Sequence, residues 1–215
     1  MKKLELGYII QEIVIVIIGI SIAFALNNWK ANQADIKLQQ QYLDNMASDI
    51  QQELEQLEIN KQEMQTKLGL IQKVRPLLNA PNNRKDTVVS KIFEIAQSVS
   101  FNPIDVTYQT LVNSGDLKLI DDFELRRSIE EHYSLHKIIL RDYERIDNIY
   151  KEYLGKFFVY DIDFNAMRQG DFSFLENPLL SNIINSIDGS YRLALQANER
   201  CRASNQALLE RIQAK

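Results

Sequence analysis

One apolar segment near the N-terminus limits what this chain can fold into. Residues 13–30 have the sequence IVIVIIGISIAFALNNWK, which carries no charge before its final lysine, although Glu12 stands directly in front of it. As a helix, the apolar stretch from Leu6 to Leu26 is about 30 Å long, which matches the hydrocarbon thickness of a bilayer. The sequence therefore predicts a transmembrane helix over residues 6–28, after a short N-terminal tail at 1–5.

The residues that follow this segment are those expected at a membrane boundary. Trp29 and Lys30 come directly after the apolar stretch, and an indole ring beside a charge is typical of the headgroup region. We predict that both side chains anchor the helix at the interface. Two alternatives stay open: a secretory signal peptide cleaved after Ala23-Phe24-Ala25, and a buried helix of a soluble protein.

Small and polar residues of the segment fall on one helical face. This predicted packing or pore face consists of Glu12, Val16, Gly19, Ala23 and Asn27. Gly19 and Ala23 form a small-xxx-small pair, which allows two helices to approach closely, and a carboxylic acid inside a membrane is stabilised by a neighbouring group. The face therefore predicts a homo-oligomer. In the alternative interpretation, Glu12 only reaches the interface and the small residues are incidental.

A heptad pattern occupies the next segment, residues 29–78. Its apolar seam consists of Ile36, Leu43, Ile50, Leu57, Met64, Ile71 and Leu78. The companion positions are mixed, with Met46 and Val74 apolar but Gln39, Glu53, Asn60 and Lys67 polar. The pattern indicates one long helix that continues from the membrane segment. Because the companion row is impure, it favours the spine of a helical bundle over a self-associating coiled coil.

Helical patterns separated by turn signals fill residues 79–215, which we predict to be a helical domain packed on the long helix. The predicted order is a turn-rich connector at 79–86, a helix to about 98, a short helix ending before Gly115, a helix at 122–158, an aromatic loop at 159–177, and helices at 178–187 and 190–213. Strand signals are almost absent. The fold class is therefore all-α, with an extended helical bundle or coiled coil.

Few residues of the chain suggest chemistry. His132 and His136 share one helix face, but no third metal ligand is evident from the sequence, so we interpret them as a surface or bundle-facing pair. The aspartates at 121, 122, 142, 161 and 163 lack the spacing of a calcium loop, and helix capping explains the first pair. The only cysteine, Cys201, is expected to be a thiol on a helix surface.

These observations predict no catalytic, cofactor-binding or metal-binding residues, and therefore a protein that is not an enzyme. The seven glycines are scattered, so no glycine-rich loop is available to bind a phosphate. The net charge of -4 argues against nucleic acid as a partner.

Two sequence blocks resemble an uncharacterised family of bacterial single-pass membrane proteins. The blocks are QEIVIVIIGISIAFALNNW at the N-terminus and TYQTLVNSGDLKLIDDFELRRSIEEHY at 107–133, and the resemblance covers about residues 7–150. It implies a membrane anchor, a helical domain of unknown function, and signature positions at Glu12, Gly19, Trp29, Ser114 and Gly115. It brings no assigned reaction.

Taken together, the sequence predicts a non-enzymatic, membrane-anchored helical interaction, scaffold or sensor protein. Its expected partners are the lipid bilayer, further copies of itself and a protein that binds the helical domain. The alternative is an oligomeric ion-conducting or membrane-permeabilising protein with a ring of Glu12 side chains. The expected location is the bacterial cytoplasmic membrane. The lysines at 2 and 3, set against Lys30 and Lys37, favour a cytoplasmic N-terminus and an extracytoplasmic C-terminal domain.

Overall fold

The prediction of an all-α fold is confirmed. The structure, a computed structural model, describes residues 2–78 and 85–214, with side chains described from residue 7 onward. Helices make up 88 % of the residues that the structure describes, and the same residues contain no strand. The connector predicted at 79–86 lies mostly outside the described residues.

The first helix, α1, spans Lys2–Val74, and its 73 residues give a length of about 110 Å. The chain has no proline before Pro76, so no residue in α1 lacks the backbone N–H that the helix needs. A 3₁₀ turn at Arg75–Leu77 follows with Pro76 in its first positions. The long helix expected from the heptad pattern is therefore confirmed.

Six further α-helices follow among the described residues. They are α2 (Lys85–Ile95), α3 (Val106–Asn113), α4 (Phe123–Ile149), α5 (Gly155–Tyr160), α6 (Phe164–Arg168) and α7 (Pro178–Gln213). A π-helical turn at Tyr150–Leu154 joins α4 to α5. The helix predicted at 122–158 is therefore helical without interruption from Phe123 to Tyr160.

The break predicted between two C-terminal helices near residue 189 is wrong, because α7 is continuous. A glycine inside a helix costs about 1 kcal/mol relative to alanine. Ile187 and Tyr191, on either side of Gly189, are fully buried, and their packing outweighs that cost. The aromatic loop predicted at 159–177 contains the short α6 and a 3₁₀ turn at Ser173–Glu176.

The heptad seam forms the buried edge of α1. Six of its seven residues, from Leu43 to Leu78, are buried, whereas Ile36 is 50 % exposed. In the bundle, α1 packs mainly against α7, with further contacts to α2 and α3, which supports the bundle over the coiled coil within the chain. Asn205 near the end of α7 contacts Glu53, while Asn198 contacts Leu57, so α7 runs antiparallel to α1.

The bundle interior has two apolar cores with a polar layer between them. Along α1, the first core includes Ile50 and the second includes Leu57. Glu53 lies between these two positions and is also buried. On α7, Leu208 belongs to the first core and Cys201 to the second, again with a buried polar residue, Asn205, between them. The division of the chain into 1–5, 6–28, 29–78 and 79–215 stays a prediction.

Candidate functional site: a buried polar layer

Glu53 is the centre of the polar layer. Its side chain is 1 % exposed, and its Oε1 accepts hydrogen bonds from His136 Nε2 at 3.0 Å and Asn205 Nδ2 at 2.8 Å. The other carboxylate oxygen accepts from the backbone N–H of Ile104 at 3.0 Å, and the Cys201 thiol lies 3.5 Å from Oε1. A buried carboxylate is stable only with such partners, and here they come from α4, α7 and the segment before α3.

The two histidines of the chain complete the layer. His132 and His136 lie one turn apart on α4, with ring centroids 4.8 Å apart, and both are buried. The Nδ1 atom of His132 lies 2.8 Å from Ser204 Oγ on α7. The interpretation of a bundle-facing pair therefore fits the structure, and a surface pair does not.

Burial and neighbouring charges set the protonation of this layer. Burial alone raises the pKa of Glu53, but the hydrogen bond and charge of His136, together with the amide of Asn205, outweigh it and leave that pKa below its ordinary value. Burial and the neighbouring His136 lower the pKa of His132 to about 4, against the attraction of Glu53. His132 is therefore a neutral imidazole at pH 7.

Glu53, His132 and His136 bring three donor atoms together. One donor atom of each residue lies within 4.8 Å of the donor atoms of the other two. Carboxylate oxygen and imidazole nitrogen are the ligands that divalent transition metals commonly take in proteins. The sequence alone indicates no metal-binding residues and no third ligand beside the two histidines, because Glu53 is almost eighty positions away from His132. Its one signal was a polar residue in the companion row of the heptad.

A second polar cluster lies further along the bundle. Asn198 Nδ2 donates to the backbone carbonyl of Leu57 at 3.0 Å and to Tyr143 Oη at 2.9 Å. Asn60 donates to the carbonyl of Ser100 at 2.9 Å and lies 3.4 Å from the same Tyr143 oxygen. These contacts explain why the companion positions 53 and 60 of the heptad are polar, because Glu53 and Asn60 both link α1 to other elements from inside the bundle.

The predicted transmembrane face is exposed along its whole length. The side chains of Glu12, Val16, Gly19, Ala23 and Asn27 are exposed, as are Trp29 and Lys30. Among the described residues, α1 is the one helix that is long and apolar enough to cross a membrane, judged by length and composition. The assigned roles of these residues stay predictions.

The signature turn docks on α1. Gly115 has φ 75°, a left-handed conformation that glycine adopts without a steric penalty. Ser114 Oγ donates to Asp116 Oδ2 at 2.7 Å, and Tyr42 on α1 donates to the same oxygen at 2.9 Å. The turn therefore fixes the end of α3 against the long helix, near its first buried residues.

Cys201 lies in the core of the bundle, and two of the aspartates cap helices. The expectation of a surface thiol is wrong, because Cys201 is fully buried; a free cysteine packs like a small apolar residue. Burial and the charge of Glu53 raise the pKa of its thiol. Asp122 caps α4 through the backbone N–H of Leu125, as the capping interpretation predicted, and Asp163 caps α6.

Comparison with known protein families supports the resemblance that the two sequence blocks indicate. The sequence model of a family of unknown function, DUF6090, matches residues 12–179, well over half of the chain. The chain belongs to this family. The match begins at Glu12 and includes the signature turn and the three donor residues of the polar layer, whereas most of α7 follows it. No curated protein and no solved structure matches.

Proposed function

We propose that this protein is a single-pass membrane protein whose α1 helix crosses the bilayer and then continues as the spine of the helical bundle. The observation that carries this proposal is the exposure of fourteen large apolar side chains between Tyr8 and Trp29. They surround the helix on all sides, and a partner helix would cover only one stripe. Lipid covers the sides of a spanning helix that a partner helix leaves open, so it accounts for the remaining apolar surface.

In this proposal the membrane is the cytoplasmic membrane of a bacterium. The lysines before the apolar segment favour a cytoplasmic N-terminus, which places the bundle on the extracytoplasmic side. Because α1 is one unbroken helix, a rotation or tilt of its membrane half is transmitted to Glu53 and the bundle. The bundle therefore suits a non-enzymatic interaction, scaffold or sensor role, with a protein partner on its outer surface.

Membrane anchorage is tested by placing two charges in the apolar half of α1. Each arginine at the centre of a span costs about 3 kcal/mol on insertion scales, so Ile17→Arg with Ile20→Arg should release the protein from membranes during flotation. The matched control is Ile59→Arg, since Ile59 is an exposed apolar residue of the bundle half, and this variant should still float. A wild-type chain that does not float, or an intact mass about 25 residues short, would contradict the anchor.

Self-association through the face that contains Gly19 and Ala23 is the second part of the proposal. An engineered cysteine at Ala23 should crosslink between copies more efficiently than one at Ile22, which points away from that face. The native Cys201 is buried and does not compete. Equal yields at the two positions would refute the face.

The second candidate function is an ion-conducting oligomer. It is favoured by Glu12, the single charged residue between Gly7 and Trp29, because an acidic residue facing a bundle interior suits a cation path. Glu12→Gln distinguishes the two: loss of conductance with assembly retained supports the channel. Unchanged behaviour supports the anchor.

A further inference from the structure

Unsatisfied polar atoms concentrate at the buried polar layer. Six buried side-chain polar atoms among the described residues have no hydrogen-bond partner, and four of them belong to neighbours in this layer. The four are His132 Nε2, His136 Nδ1, Tyr133 Oη and Asn205 Oδ1. Each such atom costs free energy in a protein interior. Two of the four are imidazole nitrogens of residues packed beside Glu53, and a neutral imidazole nitrogen with a free lone pair can bind a metal ion.

The orientation of His132 points to the kind of ligand. When its Nδ1–H donates to Ser204 Oγ at 2.8 Å, the lone pair lies on Nε2, which is buried and has no partner. Histidines that bind metals usually donate their other ring N–H to an acceptor in this way, which fixes the tautomer and the ring. Ser204 therefore prepares Nε2 as a ligand atom.

Glu53 is held in a similar manner. The backbone N–H of Ile104 fixes one oxygen of the carboxylate, and the Asn205 amide contacts the other. Ligating carboxylates are typically hydrogen-bonded by such outer groups. His136, one helical turn from His132, contacts the second oxygen of Glu53 at 3.0 Å, and its Nδ1 is buried without a partner.

We propose that Glu53, His132 and His136 form a binding site for a divalent transition metal ion, for which Zn²⁺ is the best match. One carboxylate and two imidazoles are a frequent zinc donor set, whereas Mg²⁺ and Ca²⁺ prefer oxygen ligands alone. Ligands of a tetrahedral zinc ion lie about 3.4 Å apart. The donors lie within 4.8 Å of one another, so movement of the side chains by about 1 Å brings the three donors to this spacing, with the fourth position left for a water molecule.

A metal ion at this position would join α1 to α4. Glu53 belongs to the helix that carries the apolar segment, and the two histidines belong to a helix of the domain packed on it. Metal binding that requires the folded arrangement of ligands stabilises that arrangement. The inference is independent of the proposed membrane anchorage, because all three ligands lie in the bundle.

The first experiment uses the full-length, tag-free protein in mild detergent. After removal of metals with a chelator, calorimetric titration with Zn²⁺ should show one ion bound per chain, and Zn²⁺ should raise the unfolding temperature. Because the chain has only two histidines, their ring resonances report directly on this site. Both sets of ring signals should shift when Zn²⁺ binds.

The second experiment compares single substitutions. Loss of an outer partner of a metal ligand typically lowers affinity 10- to 100-fold. Removing a ligand itself should therefore lower Zn²⁺ affinity by more than about 100-fold, whether in Glu53→Gln, His132→Gln or His136→Gln. The matched control is Tyr143→Phe, which removes a buried hydroxyl from the neighbouring polar cluster but no ligand atom, and it should bind Zn²⁺ as the wild type does.

Three results would overturn the site: wild-type protein that takes up no Zn²⁺, histidine signals that stay unchanged when Zn²⁺ binds, or ligand variants with wild-type affinity. If a ligand variant does not fold, the titration and the histidine signals of the wild-type protein still decide the question. Failure of this site leaves the flotation result untouched, so the two proposals are tested separately.

Discussion

The two halves of α1 use apolar residues in opposite ways. From Gly7 to Lys37 every side chain is exposed, and the large apolar ones lie on all sides of the helix, whereas from Leu43 onward only a stripe is buried. One continuous helix therefore presents two surfaces that suit two environments. The pattern of apolar residues, all round or in a stripe, distinguishes a helix suited to lipid from one that packs on protein.

Glu12 and Glu53 show the same difference for charged residues. Glu12 stands exposed at the start of the apolar segment, while Glu53 is 1 % exposed inside the bundle. Glu53 accepts hydrogen bonds from His136, Asn205 and the backbone of Ile104. The bundle half stabilises its buried charge through partners on other helices. In the proposed membrane half, a second copy of the helix would have to supply the partner.

The largest expected effect compares one apolar residue from each half. Leu57 is fully buried, whereas Ile17 is exposed. Leu57→Ala should lower the free energy of unfolding of the bundle by about 2–5 kcal/mol, because it removes packed atoms and leaves a cavity. Ile17→Ala should change it by less than about 0.5 kcal/mol. Denaturant unfolding of the full-length protein in mild detergent measures both, and equal losses would contradict the division of α1.

A pH-dependent loss of stability is expected from the bundle half. The pKa of His132 is lowered from its ordinary value near 6.5 to about 4 in the folded protein. Between these two pH values the histidine is therefore protonated in the unfolded chain but neutral in the folded protein. The contribution of His132 is complete above about pH 6.5 and is lost as the pH falls toward 4, by roughly 3 kcal/mol. The lowered pKa of Glu53 acts in the same direction at lower pH.

The measurement for this prediction is the unfolding free energy between pH 7 and pH 4 with a chelator present. In His132→Gln the profile should be flatter between pH 6.5 and 4, because the titrating ring is absent. A variant profile as steep as that of the wild type would show that other groups cause the loss.

Much of the fold follows from sequence periodicity. The seam of α1 repeats every seven residues, and a burial pattern of that kind depends only on neighbours along one helix. The end of α1 at Pro76, the cap at Asp122 and the turn at Gly115 are likewise local. The continuity of α7 across Gly189 was not predictable, because it depends on packing of Ile187 and Tyr191 against other helices.

The polar layer lay beyond the reach of the same reasoning. Only the i, i+4 spacing of His132 and His136 was visible, while Glu53 and Asn205 come from distant parts of the chain. The polar companion positions of the heptad were a partial signal. They indicated that α1 faces something other than an apolar partner, but the register of α4 and α7 against α1 decides which groups meet there.

Two asparagines of α1 sharpen the comparison at a smaller scale. Asn60 is buried and donates to the carbonyl of Ser100, whereas Asn27 is exposed. Asn60→Ala should destabilise the bundle by about 1–2 kcal/mol, since it leaves a partly buried carbonyl without its donor. Asn27→Ala should leave bundle stability unchanged. Thermal unfolding measures both, and a loss in Asn27→Ala would show that the exposed half contributes to the fold of the bundle.

The smallest expected effect locates the boundary between the halves. Ile36 begins the heptad seam but is 50 % exposed, whereas Leu43, the next seam residue, is buried. Ile36→Ala should therefore cost only about 0.5 kcal/mol, while Leu43→Ala should cost about 2–5 kcal/mol. Unfolding measured at several protein concentrations tests this pair. If the loss in Ile36→Ala equals that in Leu43→Ala and depends on concentration, Ile36 is buried between copies of the chain, and the protein-packed half of α1 begins before Leu43.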